Sequence, residues 1–380
     1  MPDKIHQPEI WAITISFVIR GTPRPYNVIG YALIYRFCTN NEPPAFPACY
    51  HNEKRTNYLI MITPRNYSPY TTAVITARPR KETGLKFKPM TIADIPVIKP
   101  YLDQAFGRTC DFTVGGMFMW IEYFAYTYCI VNNTLFVKGV TEDDVTRPAF
   151  SIPMGKMSLE ESVKLLREYC RQEGYDLIFS AVPEVYVAPL KALGAATVDK
   201  LEDWSDYLYE AASLASLSGK KLNKKRNHVN RFEAEHPGYR FEPLTADHLP
   251  AVKEFFNATH LPLSKPAIAD VEREQVMHVL DNLEAYGFEG AVLSTPENGI
   301  VAFTLGEVKG DTLYTHIEKM NHEVNGAGET VNKLFAVMMT KRHPEVMYIN
   351  REEDVGDPGL RHAKESYRPV ELLGKYNVAF

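Results

Sequence analysis

The chain has 380 residues, 45% of them hydrophobic and 23% charged, with a formal net charge of −5. The length suits two or three domains, the composition is that of a soluble globular protein, and the acid excess excludes a global basic field for nucleic acid. The longest apolar-leaning run near the N-terminus, IWAITISFVI, is ten residues with two hydroxyls, too short to span a bilayer, and no charged n-region with a cleavage site accompanies it. Five cysteines (Cys38, Cys49, Cys110, Cys129, Cys170) are too few and too irregular for a disulfide framework, so a reducing, cytoplasmic setting is expected.

Residues 1–84 hold 10 of the 26 prolines and 10 Lys/Arg against 5 Asp/Glu. Stretches such as NNEPPAFPACY have no amphipathic period, so this segment is expected to be irregular or poorly ordered, with ITISFVI able to pair as a strand. The alternative is that this segment is not part of the functional protein, with the true start near Leu85 or Met90. Cys38, Cys49 and His51 fit no standard zinc spacing, and no metal is expected.

From Phe87 the chain begins to repeat itself. FKPMTIADIPVIK (from Phe87) returns as FEPLTADHLPAVK (from Phe241), each reading as a strand end and then a helix capped by Thr91 or Thr245. NNTLF at Asn132 returns as GDTLY at Gly310, a polar turn between alternating segments. ESVKLL (from Glu161) and ETVNKL (from Glu329) open amphipathic helices, which lead to the apolar runs YDLIFS and EVMYIN. The constant order of elements predicts a tandem duplication of one βα-rich unit. It places a first lobe at 85–212, a basic connecting helix at 213–235 and a second lobe at 236–380.

The first lobe carries FMWIEYFAY, whose large groups suit its core, with an aromatic lining to the cleft between the lobes as the alternative. Cys129 and Cys170 sit in apolar or helical surroundings and read as small buried hydrophobes. In the connecting helix Leu222, Val229 and Phe232 share one side. Lys220, Lys221, Lys224, Lys225, Arg226 and Arg231 cover the rest, with no acid among them. That is either a solvated helix or an anion patch for the phosphates of tRNA or a nucleotide cofactor. His228 in this segment reads as structural.

The copies differ at the start of their main helices. The second has HEVNGAGETVNKL, where Asn325, Gly326, Ala327 and Gly328 form a glycine corner; the first has an ordinary Ser158 cap followed by acids. Glycine permits close backbone approach, and a helix N-terminus favours phosphate. If one copy binds a phosphate-bearing donor, it is the second. The strand, glycine turn, helix, strand order is that of the donor half of the GNAT acyltransferase fold, although Glu323 stands where that pattern has Gln or Arg. The expected fold class is α+β: two tandem GNAT-like lobes, each a mixed sheet flanked by helices.

THIEKMNHEVNGAGETVNKLFA, YINREEDVGDPGLRHAKESYRPVELLGKY and SGKKLNKKRNHVNRF, with Phe118–Trp120 and Pro153–Gly155, resemble the phosphatidylglycerol lysyltransferase C-terminal domain family over about Leu85 to Phe380. The resemblance implies an acyltransferase moving an aminoacyl group from an aminoacyl-tRNA-like donor to an amine or hydroxyl acceptor between the lobes. A CoA-dependent N-acetyltransferase and a non-catalytic binding module are the alternatives. Either aminoacyl-tRNA or acyl-CoA would be a co-substrate, with no tightly bound cofactor. The acceptor would be a small molecule, a peptide or a headgroup.

Acyl transfer needs a base, oxyanion donors and help for the leaving group. In TLYTHIEK, Tyr314, His316 and Glu318 share a face, so His316 or Glu318 could be the base, or both could enter a salt-bridge network. Asn350, Arg351, Glu352 and Asp354 follow a strand end, where α/β sheets place ligands. Glu352 and Asp354 would hold an ammonium, and Arg351 a carbonyl or carboxylate. Arg361 and Lys364, on one helical side, would hold donor phosphate. Tyr367 is a general acid or a buried aromatic.

Overall fold

The computed structural model describes residues 83–259 and 267–380, together with the backbone of four strands before them. The chain divides into two compact units, Met1–Pro79 and Arg80–Phe380. In the first, β1 (Ile10–Val18) pairs antiparallel with β2 (Asn27–Tyr35) over nine residues, and β3 (Tyr58–Leu59) pairs with β4 (Val74–Ile75). Two strand pairs thus lie within the segment expected to be irregular, and residues 13–18 of ITISFVI lie on β1. The residues considered for zinc, Cys38, Cys49 and His51, fall outside the described residues.

The second unit is built on two sheets. The first takes β5 (Lys88–Pro89), β6 (Thr127–Val131), β7 (Thr134–Val140), β8 (Pro148–Phe150), β9 (Met154–Gly155), β10 (Ile178–Pro183) and β11 (Thr197–Lys200). β12 (Asp206–Glu210) comes next in the chain. The second sheet takes β13 (Arg240–Pro243), β14 (Glu289–Thr295), β15 (Gly299–Lys309), β16 (Thr312–Met320), β17 (Tyr348–Asn350) and β18 (Glu371–Leu373), and β19 (Lys375–Ala379) follows.

The anticipated repeat is visible in local detail. Thr91 N donates to Asp94 Oδ2 (3.0 Å), and Thr245 N donates to His248 Nδ1 (3.1 Å). A histidine in the second copy therefore completes the capping box that a carboxylate completes in the first. Both polar turns are hairpin turns: β6–β7 turns at Asn132–Asn133 and β15–β16 at Gly310–Asp311. The amphipathic helix of the first copy, α3 (Leu159–Glu173), buries Val163, Leu166 and Cys170 and is capped by Ser158, whose Oγ accepts from Glu161 N (3.2 Å). Its counterpart, labelled α10 (Ala327–Arg342) when helices are counted along the chain, buries Val331, Phe335, Ala336 and Met339. β10 is buried along its whole length, as expected of a central strand.

The last strands do not stay with their own lobes. β12, at the end of the first lobe's stretch of chain, lies between β17 and β18 of the second sheet, with Leu208 opposite Asn350. β19, at the end of the second lobe's stretch of chain, lies between β10 and β11 of the first sheet, with Ile178 opposite Ala379. The contiguous division at residue 212 drawn from the repeat therefore cuts through an exchange. Sequence similarity marks which copy a strand belongs to, whereas hydrogen bonding decides which sheet it completes. The connecting segment, α5 (Ala211–Ser216) and α6 (Asn223–Glu235), is built into the second lobe. Leu222 and Val229 join Phe335 and Met339 in one core cluster, and Phe232 joins Ala327 and Val331 in another.

Candidate active site

Each exchanged strand carries one buried charge to the crossing. Asp206 on β12 is 0% exposed and Lys375 on β19 is 1% exposed, and Lys375 Nζ lies 2.8 Å from Asp206 Oδ1. The same ammonium reaches Asp111 Oδ2 at 3.1 Å, Glu353 Oε2 at 3.4 Å and Cys110 Sγ at 3.4 Å. Cys110 N donates to Asp206 Oδ2 (2.6 Å), and Asn350 Nδ2 donates to the same oxygen (2.8 Å) and to the Arg108 carbonyl (2.6 Å). Cys110, Asp111 and Asp206 converge closely enough to suit a metal ion, but the lysine ammonium already stands at that point of convergence. Burial, opposed by Lys375 and reinforced by Glu353 and Asp111, lifts Asp206 to about 7. Glu353 goes the other way: against the cost of burial, Lys375 and Lys364 hold it down at about 2. Distance to Lys375 does not decide between them. The Asp206 side chain is wholly dry and that of Glu353 is 16% exposed, so burial weighs more heavily on Asp206.

Beside this cluster a cleft opens to solvent. Its lining includes the aromatics Trp120, Tyr123, Phe124 and Trp204 and the acids Asp111, Glu142, Glu352 and Glu353. The alternative reading of FMWIEYFAY, a lining to the cleft between the lobes, is therefore met by Trp120, Tyr123 and Phe124. Phe118 of the same stretch is core. Thr113 starts the short helix α2 (Val114–Phe118) by accepting from Gly116 N (3.0 Å), which sets Cys110 and Asp111 just ahead of it in the cleft wall.

In the second lobe β16 and β17 pair in parallel only from Thr312↔Tyr348 to Tyr314↔Asn350. Beyond that point two charged pairs bridge β16 and the loop after β17. His316 Nδ1 lies 2.7 Å from Glu352 Oε1 and its Nε2 lies 2.9 Å from Glu307 Oε1. Burial works against the charge of this imidazole, but the two carboxylates raise it to about 10, so it is an imidazolium at neutral pH. A residue that already holds its proton is not the general base, which corrects the first candidate. Gly115 N also donates to Glu307 (2.7 Å), and a Cβ at Gly115 would meet the His316 ring at 2.4 Å, so only glycine lets α2 come this near.

Glu318 accepts from Arg351 Nη2 (2.7 Å) and from Asn332 Nδ2 (3.1 Å). Arg351 lies over the Tyr367 ring at 4.8 Å, and Lys225 lies over the same ring at 4.2 Å while pairing with Glu329 at 3.2 Å. Glu318 and Arg351 thus neutralise each other. Tyr367 is 5% exposed, and burial pushes its phenol up, which suits a buried aromatic and not an acid for a leaving group. Asn350 is an anchor between the sheets. Glu352 adopts φ +57°, held there by its N–H on Asn350 Oδ1 (2.7 Å) and its carboxylate on His316.

The expected donor phosphate site does not assemble. Gly326 has φ +81°, but a Cβ there would meet the His228 carbonyl oxygen at 2.5 Å and the Phe232 Cβ at 3.0 Å, so the glycine serves the packing of α6. Ala327 is fully buried, Gly328 faces Met320, and Asn325 is exposed. Arg361, on α11 (Pro358–Glu365), makes two hydrogen bonds to Asp354 (2.9 and 2.8 Å) and one to Asp203 (2.8 Å). Asp354 also accepts from Tyr207 Oη (2.5 Å), so neither residue of this pair is free for a ligand. Lys364 donates to the Glu353 carbonyl and holds the 351–354 loop. In the basic segment Arg226 caps the Leu217 carbonyl (2.7 Å) and Arg231 pairs with Glu235 (2.8 Å). Lys220, Lys221 and Lys224 are exposed, without an ion-pair partner among the described residues.

Sequence reasoning missed Asp111, Glu142, Asp206, Glu353 and Lys375. The one signal for them was Lys375 in GKYNVAF and Asp206 in DYLYE, single charges inside strand-like apolar runs.

Among the described residues no helix is long and apolar enough to cross a membrane. No curated protein matches the sequence. A conserved protein of unknown function from Bacteroides thetaiotaomicron, solved by crystallography, is 29% identical; the match covers 78% of this chain and 99% of that one with a TM-score of 0.71. The L-PGS of Bacillus licheniformis is 18% identical over 74% of this chain and 90% of that one, with a TM-score of 0.52. The C-terminal domain of a putative lysylphosphatidylglycerol synthetase from Agrobacterium fabrum is 12% identical over 76% and 91%, also at 0.52. These last two show the fold: two tandem GNAT-like lobes, one around each sheet. The profile described as "Phosphatidylglycerol lysyltransferase, C-terminal" matches residues 106–379, well over half the sequence, and the chain belongs to that family.

Proposed function

We propose that the second unit transfers an aminoacyl group from an aminoacyl-tRNA-like donor to an amine acceptor seated in the cleft between the lobes. The observation that carries this reading is the cleft itself, which Trp120, Tyr123, Phe124 and Trp204 line together with Asp111, Glu142, Glu352 and Glu353. Aromatic faces and carboxylates together suit an organic ammonium, and they repel phosphate. The donor's phosphates would instead meet Lys220, Lys221 and Lys224 on the exposed start of the connecting segment. Acetyl-CoA is the weaker candidate, because the glycine corner and the opening between β16 and β17 are both filled by the chain's own groups.

In the transfer, the acceptor nitrogen attacks the ester carbonyl, the C–N bond forms, and the ester C–O bond breaks to release the tRNA hydroxyl. The test is binding and turnover of a mixed aminoacyl-tRNA pool with a panel of amines. The expected result is salt-dependent tRNA binding whose log–log slope falls in magnitude by about 2–3 when Lys220, Lys221 and Lys224 all become Ala, since each phosphate contact contributes ~0.9. Binding of acetyl-CoA with no affinity for tRNA would overturn the aminoacyl reading. Binding of tRNA or amine without transfer would make the protein a recognition module.

A further inference from the structure

Glu142 stands apart from the other acids of the cleft. It follows the end of β7, is 8% exposed and lines the open space. Its backbone is fixed by the exchanged strand: Glu142 N donates to Ser180 Oγ (3.2 Å), Ser180 Oγ donates to Asn377 Oδ1 (2.6 Å), and Asn377 Nδ2 donates to Asp143 (2.7 Å). Its carboxyl makes no hydrogen bond or ion pair among the described residues. The neighbouring acids are all engaged, since Asp111, Asp206 and Glu353 share Lys375 while Glu352 holds His316.

We propose that Glu142 is the catalytic acid–base group of the cleft, releasing its proton to solvent when a primary ammonium enters and recovering one from that nitrogen as the acyl bond forms. This rests on the cleft reading above and adds the acceptor class, a primary amine on a small organic body. The charges around Glu142 favour such an exchange. Burial, Asp111, Glu353 and Asp206 push its carboxyl well above the usual range, Lys375 opposes them, and the Tyr126 phenol is close by. These surroundings favour the neutral acid as the resting form. An entering ammonium supplies the positive charge that makes the carboxylate form favourable. The carboxylate then takes one proton from the ammonium, the freed amine attacks the ester, and the leaving tRNA oxygen takes the second. Glu142 ends protonated, as it began, and one proton has left with each amine bound.

Two of the chain's three tryptophans, Trp120 and Trp204, line the cleft and report on it. The full chain is titrated with n-butylammonium and with n-butanol by tryptophan fluorescence, and with n-butylammonium by calorimetry in phosphate and in Tris at pH 7. The expected result is binding of the ammonium only, with close to one proton released per ligand. Glu142→Gln should bind at least tenfold more weakly and release none, and Glu142→Asp should restore release. No binding by the intact chain would sink the cleft reading itself. Binding without proton release, or release that survives in Glu142→Gln, would overturn the role of Glu142 while leaving the cleft in place. If Glu142→Gln fails to fold, an unaltered protein that releases no proton on binding would still overturn the role of Glu142.

Discussion

Replacing Lys375 with methionine removes the cation that Asp206, Asp111 and Glu353 share at 2.8, 3.1 and 3.4 Å. Methionine keeps most of the volume, so the loss is electrostatic. Breaking a buried pair from one side typically costs about 3–5 kcal/mol, because the remaining charges stay dry and uncompensated. With an unfolding entropy of ~2.1 cal/mol/K per residue, a unit of about 300 residues would lose roughly 5–8 °C of Tm. The sign with pH follows from the acids. Without the ammonium their folded values lie above the unfolded ones, so the variant binds more protons folded than unfolded and its deficit grows as pH rises. Calorimetric scans at pH 5 and pH 7.5 should show a small deficit at the lower pH and the full one at the higher. A deficit under ~1 kcal/mol, or one equal at both pH values, would refute the account of the crossing as a shared buried charge.

His316 titrates at about 10 in the folded chain against an ordinary 6.5. Its contribution to stability is thus fully present below pH 6.5 and is lost as pH rises toward 10. The urea midpoint of the native protein should fall across that window, and that of His316→Gln should start lower and stay flatter; equal slopes would show that the imidazolium does not bridge Glu307 and Glu352. Gly326→Ala would place a Cβ 2.5 Å from the His228 oxygen at φ +81°, costing about 2–4 kcal/mol of strain and overpacking in chemical denaturation. Unchanged stability with weakened donor binding would instead restore the phosphate role of the glycine corner.

Much of the architecture was legible because its signals are local. The two capped helix starts, the hairpin turns and the apolar periods lie within stretches of five to fifteen residues, and their recurrence in one order is the duplication. Alternation also placed His316 and Glu318 on one face of β16. What alternation could not supply was the partner. Glu352 and Arg351 arrive from a loop whose course depends on a left-handed residue and on Asn350 gripping the other lobe. The exchange of β12 and β19 was hidden for a related reason: which sheet a strand completes depends on contacts far along the chain. The cleft acids stand at positions 111, 142, 352 and 353, from both copies, so no spacing rule connects them. The glycines misled because close approach to a helix and close approach to a phosphate demand the same residue.

The trade of strands also sets a timetable for synthesis. β10 is complete on one flank early, yet its other neighbour is made roughly 200 residues later. At 5–20 residues per second, that leaves a hydrophobic strand with one open edge for about 10–40 s on the ribosome. Neither half can be finished until the other exists, so the two copies, although born of one gene segment, are committed to maturing as a single event.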